Sequence, residues 1–195
     1  TACDKVENPI QAGDDGTTPP PPDETVQKVL LEEYTGHKCP TCPAAHVIAA
    51  SLSATYGDRL TIVGEHVSSL ANPEPGTDYD TDFRTAAGNA YFAKWYSDVI
   101  PRGLFNRTAF NGNVPLSSAN WANAINDLIG QVPTMRVEFS AFAFNSATNT
   151  VTTTVTCMPL VAVDHDLNLT VQLIEDHVID YQYNAAATPP DIPEY

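Results

Sequence analysis

Cys39 and Cys42, in Lys38-Cys39-Pro40-Thr41-Cys42-Pro43, are the residues of this chain whose type and spacing point most directly to chemistry. Two residues between cysteines suit three uses: a redox dithiol, half of a zinc site, or a structural disulfide. For a dithiol, the nucleophile is the thiolate, and a helix N-terminus favours it through unpaired N–H groups and the macrodipole. Cys39 is expected there, with His37 and Lys38 adding positive charge. Cys42, one turn on, would close the ring by attacking a mixed disulfide at Cys39. A zinc site needs two further ligands. Cys157 and one of the five histidines are available, but there is no second C-x-x-C or H-x-H pair. A structural disulfide without activity stands as the third use.

The elements that must hold this pair can be read on either side of it. Val29-Leu30-Leu31-Glu32-Glu33-Tyr34 is a short apolar run of the kind a buried strand shows. After the cysteines, Ala44 to Ala54 has good helix formers and an apolar stripe through Ala45, Ile48, Ala49 and Leu52. Gly57 stands where a helix C-terminus wants it. Leu60 to Val67 reads as a second buried strand. Strand, C-x-x-C, helix, strand is the context in which such a pair reads as redox-active.

These residues resemble the thioredoxin superfamily, and the resemblance implies further site residues. Thioredoxins place a buried acid six residues before the first cysteine to handle the proton of the second thiol; Glu33 occupies that position. They also carry a cis-proline, preceded by Ile, Val or Thr, that faces the disulfide. Ile100-Pro101 is the matching pair, ahead of the strand-like Gly103 to Phe110. The resemblance thus implies Cys39, Cys42, Glu33 and Pro101 as the catalytic set, with no cofactor and no metal. Two departures bear on substrate and potential: Lys38 replaces the usual aromatic, and Pro40-Thr41 replaces Gly-Pro.

Between Ser68 and Asp98 the chain is longer than the minimal fold needs. Asp78-Tyr79-Asp80-Thr81-Asp82 lacks the glycine and glutamate of a calcium loop. It reads instead as the acidic start of a helix over 81–96 carrying Phe83, Ala87, Tyr91, Phe92 and Trp95. Asn111-Gly112 signals a tight hairpin. Ser117 or Ser118 is placed to cap a closing helix with Trp121, Ile125, Leu128 and Ile129. After Pro133 the period becomes two. Strands are expected with Met135, Val137, Phe139 and Ala141 on one face, then Val151, Val155 and Cys157, then Leu167, Leu169, Val171 and Leu173. Cys157 is expected as buried filler in that face. His165 and His177 stand beside acids at strand ends. The fold class is therefore α/β: a thioredoxin-like domain over 26–132, and a C-terminal antiparallel β region, a partial sandwich, over 133–195. That region reads as cut short.

Charge divides the chain as the elements do. The net charge is −15. Residues 1–25 carry −5, residues 26–134 carry −3 and residues 135–195 carry −7. Such acidity excludes nucleic-acid binding, which needs Lys and Arg to displace counterions, and docking on an anionic membrane by charge. No run of about 18 apolar residues is present to span a bilayer as a helix. Residues 1–25, with Asn8-Pro9 and Pro19 to Pro22, form an acidic, Pro-rich tether that cannot bury enough surface to fold. Thr1-Ala2-Cys3-Asp4 resembles the end of a bacterial lipoprotein signal, with Cys3 the residue acylated and Thr1 and Ala2 belonging to the precursor.

Glu32 to Cys42, Ile100 to Arg107 and the preceding tether together resemble the outer-membrane-protein-twenty-eight-like envelope lipoproteins of Gram-negative bacteria. The resemblance covers residues 26–183. It implies an outer-membrane protein anchored by lipid on Cys3, on either the surface or the periplasmic face. The molecular role it implies is that of a binding or accessory subunit, in a setting where lipoproteins join SusC/SusD-like nutrient transporters. The alternative is a lipid-anchored thiol–disulfide oxidoreductase working on protein thiols through Cys39 and Cys42.

Overall fold

The computed structural model describes residues 25–164, 166–187 and 191–192. Cys3 and nearly all of the tether, His165 and part of the C-terminal stretch lie outside them. The described chain is mixed α/β and divides into two compact units. One holds residues 27–131 together with the chain from 169 onward; the other includes residues 132–168. The chain from 169 onward, expected in the C-terminal β region, groups with the first unit instead.

The first unit is organised by β1 (Val29–Thr35), the central strand of three. It pairs in parallel with β2 (Leu60–His66), Val29 opposite Leu60 through Thr35 opposite His66. On its other edge it pairs antiparallel with β3 (Arg102–Phe105). The expected strand after residue 102 thus stops at Phe105. The chain returns through a bridge between Gly103 and Leu116, each amide donating to the other's carbonyl over 2.9 Å. A parallel pair needs a long crossover, supplied here by α1 (Cys42–Tyr56).

Alternation along β1 sends neighbouring side chains to opposite faces. Val29 and Leu31 join Ala45, Ala49 and Leu52 of α1 and Trp121, Ala124, Ile125 and Leu128 of α3 (Trp121–Ile129) in one core. Trp121 is fully buried, donates its indole N–H to the Leu116 carbonyl over 3.1 Å, and meets Phe105 edge-on. Tyr34 points the other way, into a smaller core with Val67, Leu104, Phe92 and Trp95. There it meets Phe92 of α2 (Ala86–Lys94) at 5.2 Å, edge to face. Residues 78–85 are not helical, so α2 is shorter than expected and lacks the acidic start. Asp82 instead turns back to hold Arg84 through two guanidinium hydrogen bonds of 2.8 Å. Thr85 caps α2 by accepting from the Gly88 amide. Ser117 precedes a short 3-10 turn leading into α3, and its side chain makes no capping bond.

The second unit contains a two-stranded antiparallel ribbon, β4 (Met135–Asn145) with β5 (Thr150–Pro159). The third expected strand, over 167–173, does not form. Cys157 is exposed rather than buried, because a two-stranded ribbon has no second layer of its own to cover a face. Two short strands, β6 (Gln182–Tyr183) and β7 (Asp191–Ile192), pair near the C-terminal end.

Candidate functional site

Gly36, at the end of β1, turns the chain toward the cysteines. A Cβ there would stand 2.8 Å from the Leu70 carbonyl, so glycine lets the 68–71 turn come close enough to accept from the Lys38 amide over 3.0 Å. The Cys39 amide closes the turn on the Gly36 carbonyl over 2.8 Å. Cys39 and Cys42 form a disulfide with Cα atoms 5.4 Å apart. Helix α1 starts at Cys42 rather than Cys39. Cys39 precedes Pro40, whose ring disfavours helical backbone at the residue before it, so the first cysteine sits in the turn ahead of the helix.

The Ile100–Pro101 peptide is cis. The Ile100 carbonyl lies 3.9 Å from the Cys39 sulfur, and Thr41 Oγ1 lies 3.8 Å from it. Segments 61 residues apart in sequence therefore meet at the disulfide, and Pro101 directly follows the residue in contact.

Two adjacent carboxylates of β1 have opposite fates. Glu32 points to the α2 side, where Arg107 grips both its oxygens over 2.7 and 2.5 Å. The guanidinium also lies 4.1 Å over the Tyr91 ring and 4.9 Å over Trp95. Glu33 points to the α1 side, is buried, and has no cation beside it among the described residues. Burial pushes its pKa up to about 8. Its nearest titratable neighbour is His46 of α1, whose Nε2 lies 3.4 Å from Glu33 Oε1 and 3.0 Å from Thr35 Oγ1. Burial lowers the His46 pKa to about 4. At neutral pH both groups are uncharged, so their approach is not an ion pair. His46 follows Cys42 by four residues and so lies on the same face of α1. It is also partly exposed, giving Glu33 a polar neighbour that reaches the surface.

The positive charge expected around Cys39 is largely absent. His37 is buried, its pKa is lowered chiefly by that burial, and it packs against Tyr79 and Phe83. It is neutral at pH 7. Lys38 is held by Glu74 over 2.7 Å. Arg107 belongs to Glu32, and Arg102 donates to the Pro101 carbonyl. His66 neighbours His37 and is likewise kept uncharged, its pKa lowered to about 4 by burial.

A segment distant in sequence closes over the cysteine turn. The Tyr183 amide donates to the His37 carbonyl over 2.8 Å, and the Ala185 amide to the Pro40 carbonyl over 3.3 Å. Between them, Gln182 Nε2 donates to the Cys39 carbonyl over 3.0 Å. Gln182, Cys39 and Cys42 are all 0% exposed. Sequence reasoning left His46, Thr35 and Gln182 without a role. His46 carried a signal, its four-residue spacing from Cys42; Gln182 is 143 residues from its partner and carried none. Among the described residues no three His, Cys, Asp or Glu side chains converge as a metal would require, and no helix is long and apolar enough to cross a membrane. His177 is exposed beside Asp176.

Neither a comparison with known protein families nor one with curated proteins finds a match to this chain.

Proposed function

We propose that the chain is a thiol–disulfide oxidoreductase on a thioredoxin-like scaffold, with Cys39 as nucleophile, Cys42 as resolving thiol, Glu33 as proton acceptor and donor, and Pro101 shaping the substrate side. The observation that carries the reading is Glu33: a buried carboxyl without a cation, on the strand that runs into the cysteine turn. A purely structural disulfide has no use for such a group. In the reduced protein the Cys39 thiolate attacks a substrate disulfide, forming one S–S bond and releasing one substrate thiolate. Cys42 then gives its proton to Glu33 in its ionised form, the minor form at neutral pH, and attacks Cys39, releasing the second substrate thiolate. Two protons leave the protein dithiol and end on two substrate thiols. A carboxyl held at about 8 is close in affinity to an ordinary thiol at about 8.5, which makes the transfer nearly thermoneutral.

Turnover of a polypeptide disulfide, with dithiothreitol as electron source and the protein-free rate subtracted, tests this. Cys39→Ser is expected to abolish turnover. Glu33→Gln is expected to slow resolution of the mixed disulfide and to flatten the rate profile between about pH 6 and 9. Unchanged turnover in Cys39→Ser ends the reading.

A second reading is supported by the ribbon. Val137, Phe139, Phe142 and Phe144 of β4 are 50–66% exposed, an unusual apolar surface that suits a partner protein. In that reading the chain is an accessory lipoprotein, anchored through Cys3 at the outer membrane and joined to an envelope transporter complex. Purification from native membranes with the partner still attached would support it; recovery of only the free protein would remove it.

A further inference from the structure

The site has the parts for thiol exchange, yet neither sulfur is exposed. We infer that residues 182–185 are a strap that gates the Cys39–Cys42 disulfide, and that an extended polypeptide substrate must take the strap's place along the cysteine turn. The gating of exchange rests on the oxidoreductase reading; the shielding of the disulfide does not.

Three donors of the strap meet three carbonyls of the turn: Tyr183 N–H on His37, Gln182 Nε2 on Cys39, and Ala185 N–H on Pro40. Two of them are backbone amides, which any extended peptide supplies. The acceptors are therefore readable without regard to sequence, as in strand addition. The turn's carbonyl edge is the docking surface, and the strap occupies it in the closed form.

The closure is built to be reversible. The pairing β6 contributes is two residues long, and the described residues of 162–181 leading to it form no helix or strand and are mostly exposed. Gln182 is buried with its Nε2 satisfied, but its Oε1 has no protein partner among the described residues. An unpaired buried acceptor opposes the closed form. Beside the strap, an open cleft of about 630 Å³ is lined by Pro43, His46 and Val47 from α1 and by Ile179, Gln182 and Ala186 from the returning chain. Its apolar walls suit the side chains of a polypeptide whose backbone lies on the turn, and one of them, Val47, is 70% exposed. The substrate class is accordingly an extended polypeptide with apolar residues beside its cysteine.

The test measures how fast a small phosphine reduces the disulfide in the folded full-length chain, read by alkylation and mass spectrometry of the peptide containing both cysteines. Two variants are compared with the wild type: Tyr183→Pro with Ala185→Pro, which removes both amide donors, and Gln182→Ala, which removes only the side-chain amide. Far-UV circular dichroism verifies folding, and if the proline variant does not fold, Gln182→Ala carries the comparison. Reduction is expected to be about tenfold faster or more, the equivalent of about 1.4 kcal/mol less closure. Equal rates in the wild type and every folded variant overturn the strap. Turnover on a polypeptide disulfide separates the two readings. Faster reduction with no turnover in any variant upholds the strap and removes the oxidoreductase. Wild-type turnover matching that of the variants keeps the oxidoreductase and removes the gate.

Discussion

The unit around β1 and the β4–β5 ribbon are both built on strands with apolar faces, and they treat those faces differently. Val29 and Leu31 of β1 are covered on one side by α1 and α3, while Tyr34 is covered on the other by α2. The ribbon also has one coherent apolar face. Its register slips by one residue between Ser140 and Ala143, where Ala141 takes a left-handed backbone conformation. A one-residue slip exchanges the faces of a strand. Phe144, opposite Val151, therefore joins Val137 and Phe139, opposite Cys157 and Val155. Without the bulge, Phe144 would point away from the other two. The difference teaches that pattern makes a face, whereas stability comes from a second layer placed over it.

The largest effect should come from removing a side chain that two layers share. Trp121→Ala would leave a cavity beside Phe105 and remove one of the two hydrogen bonds that the Leu116 carbonyl accepts, destabilising the protein by about 3–5 kcal/mol. Urea unfolding followed by far-UV circular dichroism measures it. A loss below about 1 kcal/mol would mean that α3 does not close this core.

Next comes the ion pair on the α2 face. Arg107→Ala leaves the buried Glu32 carboxylate without its cation, and breaking such a pair destabilises by about 3 kcal/mol or more. Glu32→Gln in the same background should recover much of the loss, because the uncompensated charge goes with it. Failure of that rescue in a double-mutant cycle would show that Arg107 acts by packing on Tyr91 and Trp95 alone.

These two sites also show what the chain's pattern could and could not reveal. The buried run of β1, the helix after the cysteines, the second strand and the Trp121 helix all follow from short-range apolar periodicity, and all are present. Glu33 and Ile100-Pro101 stood out only through resemblance, since nothing local says that one of two adjacent glutamates will be paired and the other not. That depends on Arg107, 75 residues away. The charge near Cys39 is hidden for the same reason: His37 and Lys38 carry no sign in sequence of the burial against Tyr79 and Phe83, or of the Glu74, that neutralise them. The strand expected at 167–173 has the right alternation, but alternation alone supplies no partner edge. Alternation puts Cys157 on the apolar face, as the structure does, but Cys157 is exposed because that face has no layer of its own ribbon to meet.

A smaller, signed effect follows from the buried titratable groups of the first unit. Glu33 is held at about 8, above its unfolded value. The folded form keeps a proton that the unfolded form loses, so Glu33 stabilises at low pH and that contribution falls as pH rises toward 8. His46 and His66 are held at about 4, below their unfolded value. Below about pH 6.5 the unfolded chain binds protons there that the folded chain refuses, so stability falls with acid until about pH 4. Each group contributes a slope of up to about 1.4 kcal/mol per pH unit within its window. Chemical denaturation at successive pH values should show Glu33→Gln removing slope on the alkaline side. His66→Phe, beside the Phe83 ring, should remove it on the acid side. Unchanged slopes in both variants would mean that these groups titrate normally in the folded protein.

The smallest effect is expected on the ribbon, and it bears most on the comparison. Phe139 and Phe144 are 66% and 55% exposed, so replacing either with serine removes little buried area. The change should stay within about 0.5 kcal/mol, the usual range for surface positions. The same substitutions should lower the protein's tendency to self-associate, because an exposed apolar face on a ribbon with open edges invites pairing. Sedimentation velocity over a concentration series reads that tendency, and urea unfolding reads the stability. A loss well above about 1 kcal/mol in a monomeric sample would mean that this face is covered in solution. A sample that is oligomeric only with Phe139 and Phe144 intact would mean that the missing second layer comes from another chain.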